Sequence, residues 1–221
     1  MMIISGYAVI KVISLDFAGV IAPKDFIDYF WFVAIPKRIA KFEKITLYEA
    51  IKYVEKAYES VPKSMLEWYL PSYWANRFGI NDLIDDAVKE SIDVADVYGD
   101  AIELIPILGS KYLLIIATNT IEEIVRLYLT KFTSIGKYIK KIYSCINMLK
   151  EPNKTERFYK AMIDDLGVNP SDVIHIGDDM IYDGEMPRRI GIRSIIVNRK
   201  CKISFCVRDL YEAHRILSVW G

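Results

Sequence analysis

Four short runs of apolar, β-branched residues punctuate the chain: 9–15 (VIKVISL), 112–117 (YLLIIA), 173–176 (VIHI) and 194–197 (SIIV). Runs of this length, bounded by polar or turn residues, predict buried strands. Between the later runs the apolar positions shift to helical spacing, over 122–132, 154–166 and 185–190. Strands alternating with helices of that length predict βαβ units and a parallel sheet, an α/β core of Rossmann-like type. A last helix, expected over 207–217, would pack on that sheet.

One stretch breaks the alternation. Residues 23–97 contain no strand pattern, only amphipathic, aromatic-rich helical segments at 25–33, 47–59, 64–78 (interrupted by Pro71) and 81–91. This predicts a smaller all-helical cap domain, 23–97, inserted into a core formed by 1–22 and 98–221. The cap's aromatic residues, Trp31, Phe32, Trp68, Tyr69 and Trp74 among them, are expected to form its own small core. An apolar pocket or a dimer seam is the alternative.

Composition narrows the class. The chain has 221 residues, 52% of them hydrophobic and 26% charged, with zero formal net charge. That suits a compact globular protein and argues against a nucleic-acid partner. No uninterrupted apolar run reaches the roughly 18 residues of a membrane span. The apolar opening MMIISGYAVIKVISL lacks a basic segment at its start, so it reads as no leader and the protein as cytoplasmic. Three cysteines, Cys145, Cys201 and Cys206, form no CxxC pair and are read as ordinary thiols in a reducing compartment. Whether the chain is a monomer or a homodimer is left open.

Polar clusters follow the expected strands, where open α/β sheets bind ligands. Asp16 ends the first strand in LDFAGVI, with Gly19 allowing a tight turn near a ligand. A carboxylate there can stay ionised and attack phosphorus. Thr118 and Asn119 end the second strand, suited to hydrogen-bonding phosphate oxygens, while Thr120 and Glu123 read as a capping box for the next helix. In KEPNKTERF, Lys150 or Lys154 could neutralise a phosphate. In VIHIGDDMIYDGE, the carboxylates of Asp178, Asp179 and Asp183 would repel one another without a cation, and such oxygen-rich sites suit Mg2+. His175, on a buried strand, reads as a core histidine with its hydrogen bonds made, and His214 lies on the last helix.

Taken in order, these four clusters resemble the four motifs of the haloacid dehalogenase-like superfamily. The resemblance implies a Rossmann-like core with a helical cap, and a hydrolase acting on a small phosphorylated substrate. It implies that Asp16 is the nucleophile and a Mg2+ ligand, joined by the backbone carbonyl of Ala18 and by Asp178. Thr118 and the motif lysine would hold the transferring group, and Asp183 or Asp179 would brace the lysine or a metal-bound water. The chain departs from the pattern twice. Phosphatases of the superfamily carry a second Asp two residues after the nucleophile, where this chain has Ala18. Ala at this position resembles phosphonoacetaldehyde hydrolase, which would need a cap lysine such as Lys52 or Lys56. It also keeps open a binding protein of low turnover. The motif lysine is usually followed by Pro, which favours Lys150, in Lys150-Glu151-Pro152, over Lys154.

Overall fold

The computed structural model describes residues 10–202 and 205–220. The opening segment 1–9, including the first position of the first expected strand, lies outside it. Five strands form one parallel sheet in the order β3-β2-β1-β4-β5. They are β1 (Val12–Leu15), β2 (Leu113–Thr118), β3 (Ile139–Ser144), β4 (Val173–Gly177) and β5 (Arg193–Ile196). β1 lies at the centre and is buried along its whole length. Val12 packs with Ile115 and Val173 on one face, and Ile13 and Leu15 pack with Leu114 and Ile116 on the other. A strand covered on both sides needs apolar residues in both registers.

The edge strand β3 had no such signature. Its sequence IKKIYS places Lys140 and Lys141, both exposed, directly after Ile139. Lysines on an edge strand discourage pairing with another chain, and they also hide the strand from a reading based on apolar runs.

The inserted stretch folds as α1 (Asp25–Tyr29), a π-helical turn (Phe30–Ala34), α2 (Ile35–Glu43), α3 (Leu47–Glu59), a 3-10 turn (Leu66–Tyr69), α4 (Pro71–Phe78) and α5 (Ile84–Asp93). Pro71 opens α4 instead of interrupting a longer helix, a position where its missing N–H and fixed φ fit. α3 starts with a full capping box between Thr46 and Glu49. Trp74 is fully buried, ringed by Tyr58, Trp68 and Phe78, and its indole N–H donates to the Trp68 carbonyl at 3.0 Å. This apolar cluster runs without a break into the one covering a face of the sheet.

The remaining helices are α6 (Gly99–Gly109), α7 (Glu122–Lys131), α8 (Thr133–Gly136), α9 (Cys145–Leu149), α10 (Glu156–Leu166), α11 (Met186–Arg189) and α12 (Leu210–Trp220). α6 lacked an amphipathic signature because its run IELIPIL is apolar nearly all round. Asp100, at its start, accepts from the Arg199 guanidinium at 2.9 Å and from the Leu210 N–H at 2.7 Å. That one carboxylate ties the segment after β5 and the start of α12 to the start of α6. No helix among the described residues is long and apolar enough to cross a membrane.

The reading of all three cysteines as thiols is corrected. Cys201 and Cys206 form a disulfide, while Cys145 is a buried thiol. A bridge between Val197 and Val207 closes the loop on itself and holds the two cysteine Cα atoms 6.1 Å apart, within disulfide reach. Their spacing in sequence gave no hint of that closure.

Replacing Trp74 by Ala should lower stability by about 3–5 kcal/mol, through lost burial and a residual cavity. Guanidinium denaturation measures it, and a loss below about 1 kcal/mol would contradict the packing described.

Candidate active site

The site is assembled at the carboxyl ends of β1, β2 and β4. Asp16 follows β1 directly, and its N–H donates to the Ile176 carbonyl at 2.8 Å, extending the sheet by one bond. The chain then turns back on itself, with the Gly19 N–H donating to the Ala22 carbonyl and the Ala22 N–H to the Phe17 carbonyl. Gly19 has φ +92°, and a Cβ there would collide with the Asp178 carboxylate. The missing side chain therefore lets two loops meet. Carboxylate oxygens of Asp16, Asp178 and Asp183 consequently lie within 4.8 Å of one another.

The motif lysine is Lys154, not Lys150. Lys154 is 3% exposed, with its Nζ 2.9 Å from Asp16 Oδ1 and 2.5 Å from Asp183 Oδ1. It is positioned by α10, whose N-cap Thr155 accepts from the Phe158 N–H and whose buried residues Phe158, Tyr159 and Met162 dock on the sheet. Lys150 is exposed, sits in a left-handed conformation just after α9, and donates to the Asn147 carbonyl at 3.3 Å. Spacing from Pro152 was the wrong guide. The useful signal was Lys154 immediately before a capping Thr and a buried helix face.

Asp183 is fully buried and saturated. Its Oδ2 accepts the N–H groups of Asp178 and Asp179 at 3.1 and 3.0 Å, and its Oδ1 accepts from His175 Nε2 at 2.8 Å. On the other side of the ring, Ser14 Oγ lies 2.9 Å from His175 Nδ1. Burial holds the imidazole below its ordinary pKa, so His175 is neutral, donating to Asp183 and accepting from Ser14. It is a buried histidine with both nitrogens satisfied, as its strand position implied. Gly177 is needed here as well, since a Cβ on it would overlap the Asp183 carboxylate.

Asp179 does not join the three-carboxylate group. Its Oδ1 accepts the N–H groups of Ile181 and Tyr182, both at 2.8 Å, and so caps the turn Met180–Glu185. Thr118 is buried, with its Oγ1 accepting the Thr120 N–H at 3.0 Å, and Asn119 and Thr120 line the cavity beside it. The capping box expected at Thr120 is absent: the helix N-cap is Ile121, the Thr120 N–H is taken by Thr118 Oγ1, and the Glu123 carboxylate accepts from the Asn147 amide instead. Lys52 and Lys56 are exposed on α3 and line no part of the cavity, and His214 sits on α12 away from it.

Charge explains the behaviour of the cluster. Burial penalises ionisation of Asp16, and the neighbouring Asp183 and Asp178 charges add to that. The Lys154 ammonium offsets only part, so the Asp16 carboxyl is pushed up to about 7. Asp183 goes the other way. Its burial is outweighed by Lys154 and by the His175 hydrogen bond, and its carboxyl is held far below the usual range. Lys154 stays charged, since its two carboxylate partners outweigh its own desolvation. Three acidic groups thus converge on one buried ammonium, with a second, Lys24, reaching Asp178 at 2.7 Å from the solvent side. The cluster is short of positive charge and presents hard oxygen donors, which fits a divalent ion such as Mg2+.

A cavity of about 320 Å³ opens from Asp16 toward the inserted helices. Ala18, Lys24, Asp178 and Lys154 form its floor, and Trp31, Phe32, Trp68 and Tyr69 belong to its far wall. Lys24 and Lys63, both in this lining, were not singled out from sequence. Lys24 had one available signal, its place just ahead of the first inserted helix and close after Asp16.

Two variants separate the lysines. Lys154→Met leaves Asp16 and Asp183 buried without their ammonium and should cost about 3–5 kcal/mol. Lys150→Ala should stay within about 0.5 kcal/mol of wild type. Denaturation in EDTA measures both, and equal losses would contradict the placement. A second expectation concerns pH. Asp16 ionises near 3.8 when unfolded and near 7 when folded. Between those values the folded state binds the extra proton, so stability falls as pH rises through the window and levels off above it. Asp16→Asn removes that loss. Its stability gain in EDTA should grow from about pH 4 to about pH 7, reaching at most about 4 kcal/mol. A gain independent of pH would contradict the charge assignment.

Comparison with known proteins agrees with the fold. No curated protein matches the chain. Among solved structures, it resembles a HAD phosphatase from Thermococcus onnurineus with a TM-score of 0.77 at 20% identity, covering 94% of this chain and 98% of the other. The HAD-hydrolase YfnB of Bacillus subtilis, solved bound to magnesium, gives 0.68 at 16% identity over 95% and 99%. A 2-haloacid dehalogenase from Pseudomonas syringae pv. Tomato DC3000 gives 0.69 at 14% over 96% and 100%. At these identities the likeness shows the fold. The model of the haloacid dehalogenase-like hydrolase family matches residues 26–197, most of the chain, and the protein belongs to that family.

Proposed function

We propose that this protein is a phosphatase that hydrolyses a small organic phosphate monoester, with Asp16 as the nucleophile. The observation that carries the reading is Lys154, buried between Asp16 and Asp183 at the floor of the cavity. A family member described as a phosphatase shares the fold over nearly the whole chain, which supports the same direction.

The chain's own groups divide the work. Asp16 Oδ1 is held by the Phe17 N–H at 2.8 Å and by Lys154, which leaves Oδ2 to attack phosphorus. In the first step an Oδ–P bond forms and the ester P–O bond breaks. In the second, water attacks the aspartyl-phosphate, releasing phosphate and restoring Asp16. Lys154 opposes the charge that builds on the transferring oxygens, and Asp183, fixed by two backbone N–H groups and His175, keeps Lys154 in place. Asn119 and the backbone after Thr118 lie where they can meet phosphate oxygens. Asp16, the backbone carbonyl of Ala18 and Asp178 would hold Mg2+, which supplies positive charge to a site that lacks it. The inserted helices act as a cap that shields the cavity from water and shapes it for the organic group.

Phosphate release from a panel of small monoesters, with Mg2+ and with EDTA, tests the assignment. Release should need Mg2+ and vanish in Asp16→Asn. Lys154→Met should lower it by at least about 10²-fold, while Lys150→Ala leaves it intact. Release that persists in Asp16→Asn would overturn the reading.

A further inference from the structure

The cavity has an unusual division between its floor and its wall. On the floor, the position two residues beyond Asp16 is a methyl group, that of Ala18. The other acidic groups near it are committed. Asp183 accepts from backbone and His175, Asp178 pairs with Lys24, and Asp179 caps a turn. Lys154 is locked between two carboxylates. None of these is placed to hand a proton to a departing oxygen. Asp28, exposed on α1, also lines the cavity, and partial burial with the Asp25 charge beside it raises its carboxyl above the usual range, so its substitution is one arm of the test below.

The far wall is aromatic. Trp31, Phe32 and Trp68 gather around Tyr58, with the Lys63 ammonium over the Trp68 ring at 5.4 Å, and Tyr69 lines the cavity where the inserted helices meet the cluster packed under α10. A site of about 320 Å³ lies at the small end of ligand cavities and has room for a phosphate and one ring. Flat rings stack or meet edge-on with such walls.

These two independent features agree on one kind of leaving group. An alcohol expelled without a proton leaves as an alkoxide, whose conjugate acid ionises near the ~15.7 of water. A phenol ionises near ~10 and leaves as a stable anion. Resting on the phosphatase reading above, we propose that the substrate is the phosphate monoester of a phenol, an aryl phosphate whose ring seats against Trp31, Phe32, Trp68 and Tyr69. Asp16 forms its bond to phosphorus, the aryl P–O bond breaks with its electron pair on the phenolate, and the phenolate takes a proton from solvent. Water then cleaves the aspartyl-phosphate, so that ester and water yield phenol and phosphate.

Phenyl phosphate and benzyl phosphate test this directly, because both present a ring but one releases a phenol and the other an alcohol. With Mg2+ present, kcat/KM should be about 10²–10⁴-fold higher for phenyl phosphate, the usual worth of a missing general acid. Ala18→Asp should narrow that gap by raising the benzyl ester. Phe32→Ala, which alters a half-exposed ring, should raise KM for phenyl phosphate. Equal kcat/KM for the phenyl and benzyl esters in wild type, both lost in Asp16→Asn, would overturn the inference and leave the phosphatase reading standing. A loss of benzyl turnover alone in Asp28→Asn would overturn it by identifying Asp28 as the proton donor. Release from no ester at all would remove the phosphatase reading and this inference together.

Discussion

One buried ammonium organises this molecule. Lys154 is the cation that lets Asp16 and Asp183 share a dry pocket at the edge of the sheet. Two carboxylates and one lysine leave a surplus of negative charge, and the surplus does not divide evenly. Asp183 has further donors, two backbone N–H groups and an imidazole, and it stays ionised. Asp16 has fewer, and its burial with the charges of Asp183 and Asp178 pushes its carboxyl up to about 7. That asymmetry separates a carboxylate whose bonds are filled from one with an oxygen left open. It also explains why the site favours a cation or the positive field needed to receive a phosphate.

The backbone makes this crowding feasible. Gly19 and Gly177 stand where any side chain would overlap Asp178 or Asp183. They bring the loops after β1 and β4 closer than ordinary residues allow. Parallel strands end on the same side, so these loops face the loop after β2 and the start of α10. The inserted helices enclose the remaining side, and their apolar core is continuous with that of the sheet face beneath. Floor and wall of the cavity therefore come from distant parts of the chain, the floor charged and the wall aromatic.

Much of this was legible in the residues, for physical reasons. Central strands buried on both faces must be apolar in both registers, so β1, β2 and β4 stood out, and the edge strand β5 did so because three of its four residues are buried. The other edge strand, β3, has exposed Lys140 and Lys141 directly after Ile139, and α6 is apolar nearly all round, so neither carried a clear period. Asp16 and Asp178 were visible because each ends an apolar run. The choice of Lys150 over Lys154 failed because spacing to a proline says nothing about which side chain α10 carries into the core. Asp179 and Asp183 are alike in sequence, and only the path of the turn Met180–Glu185 separates a capping carboxylate from one joined to Lys154. The Cys201–Cys206 bridge likewise depends on a loop closure that sequence spacing does not report.

The central claim is that Asp16 itself carries the phosphoryl group during turnover. A single-turnover reaction with phenyl phosphate and excess enzyme, quenched in acid and reduced with borohydride, reads it at one residue. The account predicts conversion of Asp16 to homoserine in the peptide that contains it, and no conversion at Asp178 or Asp183. Phosphate released within that turnover while Asp16 stays unmodified would mean that water attacks the ester directly, and would contradict the account.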